Sequence, residues 1–172
     1  GVGAENWTNG KGGYYLIASP LAEDVTPNAD NGFIVGDYDL YYFSQTGDSE
    51  GNEWINFKDT ENGGFSIVNG TGYLYASKEG TTLTFTGAPY SSDGEVTVTL
   101  SVAENTDNLG AVNLVGNPFA VDAYITKSFY TLENSDTYTV NTSSDAIQPM
   151  QGLLVVADDD GETLLADRKS VV

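Results

Sequence analysis

Residues 15–24 read Tyr-Leu-Ile-Ala-Ser-Pro-Leu-Ala-Glu-Asp, and residues 113–122 read Asn-Leu-Val-Gly-Asn-Pro-Phe-Ala-Val-Asp. Each stretch is a short apolar strand that runs into a small residue, a polar residue and a proline. Proline pushes the residue before it into an extended conformation and removes a ladder donor, so Ser19-Pro20 and Asn117-Pro118 should end their strands in the same way. The match continues outward. Asp39-Leu40-Tyr41-Tyr42-Phe43 aligns with Ser128-Phe129-Tyr130-Thr131-Leu132, and Trp54 falls opposite Tyr138. Thr71 to Ala76 aligns with Gln151 to Val156, and Glu79-Gly80 with Thr82-Leu83 aligns with Asp160-Gly161 and Thr163-Leu164. The offset falls from 98 through 89 and 84 to about 80, as expected if loops are shorter in a second copy.

This internal repeat fixes the expected organisation: a first copy over about 13–86, a linker with one strand over 87–110, and a second copy over about 111–166. Each copy is too small to be comfortable alone, so residues 1–172 should form a single pseudo-symmetric domain. Strand-type runs recur at 14–17, 39–43, 53–57, 65–68, 72–76, 82–86, 95–100, 111–115, 128–132, 137–140, 152–156 and 162–165, each bounded by turn formers. No stretch holds a helical period over ten residues. The expected fold is all-β, a β-sandwich or flattened barrel built from the two-fold repeat. Positions apolar in both copies (Leu16/Leu114, Ile17/Val115, Tyr41/Tyr130, Phe43/Leu132, Leu74/Leu154, Leu83/Leu164) are the expected core. The strands at 72–76 and 152–156 are apolar on both faces and should lie centrally, covered on both sides.

Composition narrows the function. The 172 residues carry 25 Asp and Glu against 6 Lys and Arg, a formal charge of −19, with no His and no Cys. A chain this acidic is unsuited to nucleic acid, whose phosphates need Lys and Arg, and to docking on an anionic membrane. No window approaches the ~18 apolar residues of a membrane span. Without His or Cys there is no imidazole base, no thiolate and no disulfide. An apolar share of 40% and an aromatic share of 12% exclude a disordered acidic tail. The opening Gly1-Val2-Gly3-Ala4 suggests a trimmed or processed end, so the missing signal segment says nothing about export.

Several residues invite chemistry. Aromatic faces stack on sugar rings while neighbouring amides and hydroxyls complete the hydrogen bonds, which makes Trp7, Tyr42, Trp54 and Tyr90 candidate platform residues. Tyr42 stands opposite the polar Thr131 and is the foremost of them. Trp54 has Tyr138 as its counterpart and is expected to pack. Asp158-Asp159-Asp160-Gly161-Glu162 suggests Ca²⁺, a hard cation that prefers clustered carboxylates, but the run does not fit an EF-hand loop and a solvated turn outweighs it. Asp24 and Asp122 recur in both copies, and an Asx-turn leaving the strand accounts for them. No nucleophile elbow, phosphate loop or dinucleotide fingerprint appears, so no catalytic residue is assigned and no cofactor is expected beyond that Ca²⁺.

The ordered segments Gly13 to Pro20, Tyr38 to Tyr41, Val68 to Ala76 and Val112 to Phe119 resemble a paired signature in β-rich repeat modules of Bacteroidetes cell-surface proteins and putative adhesins. The resemblance covers about Gly13 to Val156. It departs at Tyr14, where similar sequences often carry Trp, and over residues 166–172. It implies a non-catalytic extracellular or cell-surface module for adhesion or structural spacing, joined to neighbouring domains of a longer parent. Its partner would be a host or microbial surface glycan or protein. The alternative is a carbohydrate-binding module using exposed aromatics.

Overall fold

Thr, Val, Ile and Tyr at alternating positions suit a pleated surface with one buried face. The computed structural model describes residues 13–34, 36–48, 51–59, 64–78, 80–91, 94–133 and 137–168. Within them run eleven strands: Tyr14–Ile17 (β1), Tyr38–Phe43 (β2), Trp54–Asn56 (β3), Tyr73–Ser77 (β4), Glu95–Thr99 (β5), Val112–Gly116 (β6), Ala123–Ile125 (β7), Phe129–Glu133 (β8), Thr137–Asn141 (β9), Gly152–Val156 (β10) and Thr163–Arg168 (β11). The described residues include no α-helix, only single 3₁₀ turns at Ala29–Asn31 and Phe57–Asp59. All pairings are antiparallel, in three sheets: β1-β4-β2-β3, β6-β10-β8-β9 and β5-β11-β7. None of the three closes on itself, so the flattened-barrel alternative gives way to stacked open sheets.

The stacking follows from the two-residue alternation of side chains along a strand. On the second sheet, Leu114 and Leu154 face the first sheet, where they meet Leu16, with Leu74, Phe43 and Trp54 packed around them. The next residues along those strands, Val115, Leu153 and Val155, point the other way. They join Phe129, Phe119 and Ile147 against Ile125, Leu164 and Ala166 of the third sheet. The first sheet turns Ile17, Tyr38, Leu40, Tyr73 and Tyr75 outward, and there the cover is irregular chain carrying Leu21, Val25, Phe33 and Ile67. Three hydrophobic layers therefore alternate with three sheets. Full burial of a side chain such as Phe33, Phe129 or Leu153 contributes about 1.5–3 kcal/mol each.

The two four-stranded sheets share one strand order and one register. Leu16 pairs with Leu74 and Tyr41 with Leu74, while Leu114 pairs with Leu154 and Tyr130 with Leu154. Phe43 pairs with Trp54, and Leu132 with Tyr138. The seam between the sheets is also reciprocal. Ile17 bridges Gln151 and Val115 bridges Thr71. Ala18 N–H donates to the Met150 carbonyl at 2.9 Å, and Gly116 N–H donates to the Gly70 carbonyl at 3.0 Å. Backbones approach so closely here that a Cβ on Gly72 would lie 2.5 Å from the Val115 carbonyl oxygen, and one on Gly152 would lie 2.9 Å from that of Ile17. Asn69 spans the centre, its Nδ2 donating to the carbonyls of both Ser19 (3.1 Å) and Pro118 (2.9 Å).

The central position expected for the strands around 72–76 and 152–156 is found, since β4 and β10 are each flanked on both edges. The ends of the alignment diverge. Residues 163–168 form β11, the middle strand of the third sheet, whereas 82–86 form no strand and Leu83 is only partly buried. The run at 65–68 contributes a single bridge, Ile67 to Val25. The strand expected in the linker is β5, at an edge of the third sheet. Tyr130, expected in the core, is 37% exposed.

The residues before the prolines do more than end strands. Ser19 and Asn117 are both buried. Ser19 Oγ accepts Leu21 N–H at 3.1 Å, and Asn117 Oδ1 accepts Phe119 N–H at 2.9 Å. Asn117 Nδ2 also donates to the carbonyls of Val121, Ile147 and Gln148 at 2.9–3.0 Å. Asp24 and Asp122, which sequence spacing marked for this turn role, are exposed.

Candidate functional site

β3 and β9 are the edge strands of the first two sheets, and an opening lies between the sheets beside them. The opening is a groove of about 310 Å³ lined by Tyr14, Tyr41, Trp54 and Leu74 from the first sheet and Leu132 and Tyr138 from the second. Four of its six described lining residues are aromatic and none of the six is charged. Trp54 is held edge-to-face against Phe43, with ring centroids 5.1 Å apart and planes at 62°. Tyr138 is 48% exposed on the opposite wall, and Val140, two residues along β9, is 64% exposed. Burial of part of the Tyr138 ring raises its phenol above the usual tyrosine range, so its hydroxyl is a neutral donor and acceptor at physiological pH.

Trp54 owes its position to a polar clamp behind its hairpin. Gln45 Nε2 donates to the carbonyls of Ser101 (2.8 Å) and Val112 (3.0 Å), and Ser101 Oγ returns a bond to Gln45 Oε1 at 2.7 Å. Asn105 Nδ2 donates to the Gln45 carbonyl at 2.7 Å and to Glu53 Oε1 at 3.1 Å. The Asn105 bond is the main reason the Glu53 carboxyl sits below its usual range, and hydrogen bonding to Glu53 raises that of Asp107. The linker thus fastens the hairpin that carries Trp54.

Of the three aromatic candidates from sequence that lie within the described residues, the structure brings Trp54 to this groove and not Tyr42 or Tyr90. Tyr42 lies on the other face of β2, half-buried, edge-to-face with Phe65 at 5.1 Å and 87°. Its polar counterpart Thr131 did not mark a surface position, because the cover over the first sheet is irregular chain with no equivalent over the second. Tyr90 is half-buried, tilted over Phe119 at 6.5 Å and anchored by its N–H to the Pro20 carbonyl at 2.8 Å. Trp7 lies outside the described residues. Tyr14, Tyr41 and Tyr138 went unnamed as ligand residues. The signal for them was the two-residue alternation, which puts Tyr41 on the face of Phe43 and so beside its partner Trp54.

The acidic turn at Asp158–Asp160 is exposed and its groups are engaged separately. Lys127 Nζ reaches Asp158 at 3.1 Å and Glu162 at 2.8 Å, Glu162 Oε2 accepts Asp158 N–H at 2.7 Å, and Asp160 Oδ1 accepts Val102 N–H at 3.0 Å. Hydrogen bonding to Lys127 is the chief cause that holds the Glu162 carboxyl below its usual range. Among the described residues no three acidic side chains form a group able to hold a metal ion. No helix of the described residues is long and apolar enough to cross a membrane. No family model, curated protein or solved structure matches the chain.

Proposed function

We propose that the chain is a non-catalytic module of a bacterial cell-surface or secreted protein, working in adhesion, and that its contact surface is the aromatic groove between the first two sheets, which takes a neutral glycan. The observation that carries this reading is the groove's lining: Tyr14, Tyr41, Trp54 and Tyr138, with no charged residue among the described lining residues, on a chain of formal charge −19. Aromatic faces bind the apolar faces of pyranose rings, and phenol hydroxyls satisfy their hydroxyl groups. The acidic surface disfavours polyanionic glycans by long-range repulsion. The ordered motifs that resemble Bacteroidetes surface modules support an extracellular setting, and the shared register of the two sheets supports descent of both halves from one duplicated unit. The reciprocal seam favours a second reading, a rigid spacer between neighbouring domains.

A glycan array probed with the wild-type chain and with Trp54→Ala separates the two. The binding reading expects neutral glycans to be retained by the wild type and lost by the variant. Silence on every glycan leaves the spacer.

A further inference from the structure

A second cleft, of about 370 Å³, lies where the β1–β4 edge of the first sheet meets the loop before β10; Tyr15, Tyr75, Thr81, Gln148, Met150 and Gln151 are among its lining residues. None of its described lining residues is Asp, Glu, Lys or Arg, although acids dominate the chain. Tyr15 stands 54% exposed beside it. The Tyr75 ring is buried, and its Oη has no hydrogen-bond partner among the described residues; burial raises its phenol above the usual tyrosine range, and the nearby Ser77 and Thr81 hydroxyls offset part of that rise. A buried hydroxyl left unpaired is destabilising, because it has given up its water without replacement. Met150 adds a second cost, because its φ of 64° puts a non-glycine residue in the left-handed region.

The other half of the molecule provides the control. By sheet register and the reciprocal seam bonds, Tyr15, Tyr75 and Met150 correspond to Asn113, Val155 and Gly70, and Gly70 holds the same left-handed turn at φ 83° without strain. The fold therefore requires neither the phenols nor the strained methionine at these positions. Gln151 is fixed in place, its Oε1 accepting Gln148 N–H at 2.9 Å.

We propose that this cleft is a separate binding site for an uncharged, hydroxyl-rich ligand of pyranose size, with the Tyr15 ring as the platform and the Tyr75 hydroxyl paired to a ligand hydroxyl. Anionic ligands are disfavoured because no cation is among the described residues that line the cleft, and apolar ones because they would leave the phenol unpaired.

The test is a ¹H–¹⁵N NMR titration of the full chain with the methyl pyranosides of glucose, galactose, mannose and N-acetylglucosamine, taken to about 50 mM so that millimolar binding registers. At least one sugar is expected to shift the amides of Tyr15, Gln148, Met150 and Gln151 saturably. Tyr15→Ala and Tyr75→Phe should each weaken that binding about tenfold, while Trp54→Ala leaves it unchanged, which keeps this site distinguishable from the seam groove. Absence of saturable shifts at these amides with all four sugars overturns the proposal, as does binding there that survives both Tyr15→Ala and Tyr75→Phe. Tyr15 is exposed, so its variant remains informative if loss of the Tyr75 hydroxyl disturbs packing.

Discussion

At the scale of single residues, the most consequential polar group is Asp39, which is 0% exposed on the seam face of β2. Its Oδ1 meets Lys58 Nζ at 2.7 Å and Asn56 Nδ2 at 2.9 Å, and Oδ2 has no partner among the described residues. Removing the cation strands a buried carboxylate, so Lys58→Met is expected to destabilise by about 3 kcal/mol, partly offset because Lys58 is itself partly exposed; urea denaturation measures it. The Glu53–Asp107 pair gives a second prediction with a definite sign. Sharing a hydrogen bond with Glu53 raises the Asp107 carboxyl, so the stability tied to its proton is present below the ordinary aspartate value and lost as pH rises through the raised one. At neutral pH the two carboxylates repel. Asp107→Asn keeps a donor without the charge, and its melting temperature should exceed the wild type's at neutral pH, with the gap closing towards about pH 3.

At the scale of elements, the seam depends on backbones that touch. A methyl group at residue 152 meets the Ile17 carbonyl and one at residue 116 meets Ala18 Cβ, neither of which is a flexible tip. Gly152→Ala and Gly116→Ala should each cost about 2 kcal/mol or more. Gly70→Ala faces open space and pays only for its left-handed conformation, about 1 kcal/mol. Chemical denaturation of the three variants checks that order. Much of this was legible in the sequence, because an alignment of one half on the other placed Leu16 with Leu114 and Phe43 with Leu132, and alternation then assigned faces. The third sheet was not. β7 is three residues long, and β11 was aligned with residues 82–86, which have no sheet to join; only tertiary pairing with β5 on one side and β7 on the other makes 163–168 a central strand. The proposed binding surfaces were half legible: Trp54 stood out by residue type, while Tyr14, Tyr15 and Tyr138 line the two clefts because of where two sheets end, which no local pattern encodes.

At the scale of the whole molecule, sheets and cores alternate so that the second sheet serves two hydrophobic layers at once, against the first sheet and against the third. The charge of −19 is nearly even between the halves, with 12 acids and 3 bases in residues 1–86 and 13 and 3 in residues 87–172. Both described clefts that lack charged residues lie at the meeting of the two halves. The seam is thus the rigid centre of the fold and also the place where uncharged, aromatic surface is left open. The central claim, that the groove beside Trp54 receives a neutral glycan, is open to one direct measurement. Trp7→Phe leaves Trp54 as the single indole of the chain, and its emission can be followed as neutral oligosaccharides of glucose, xylose and mannose are added. A saturable blue shift that disappears with Tyr138→Ala is the predicted result. An emission spectrum unmoved by any of these sugars, in a chain that remains folded, would contradict it.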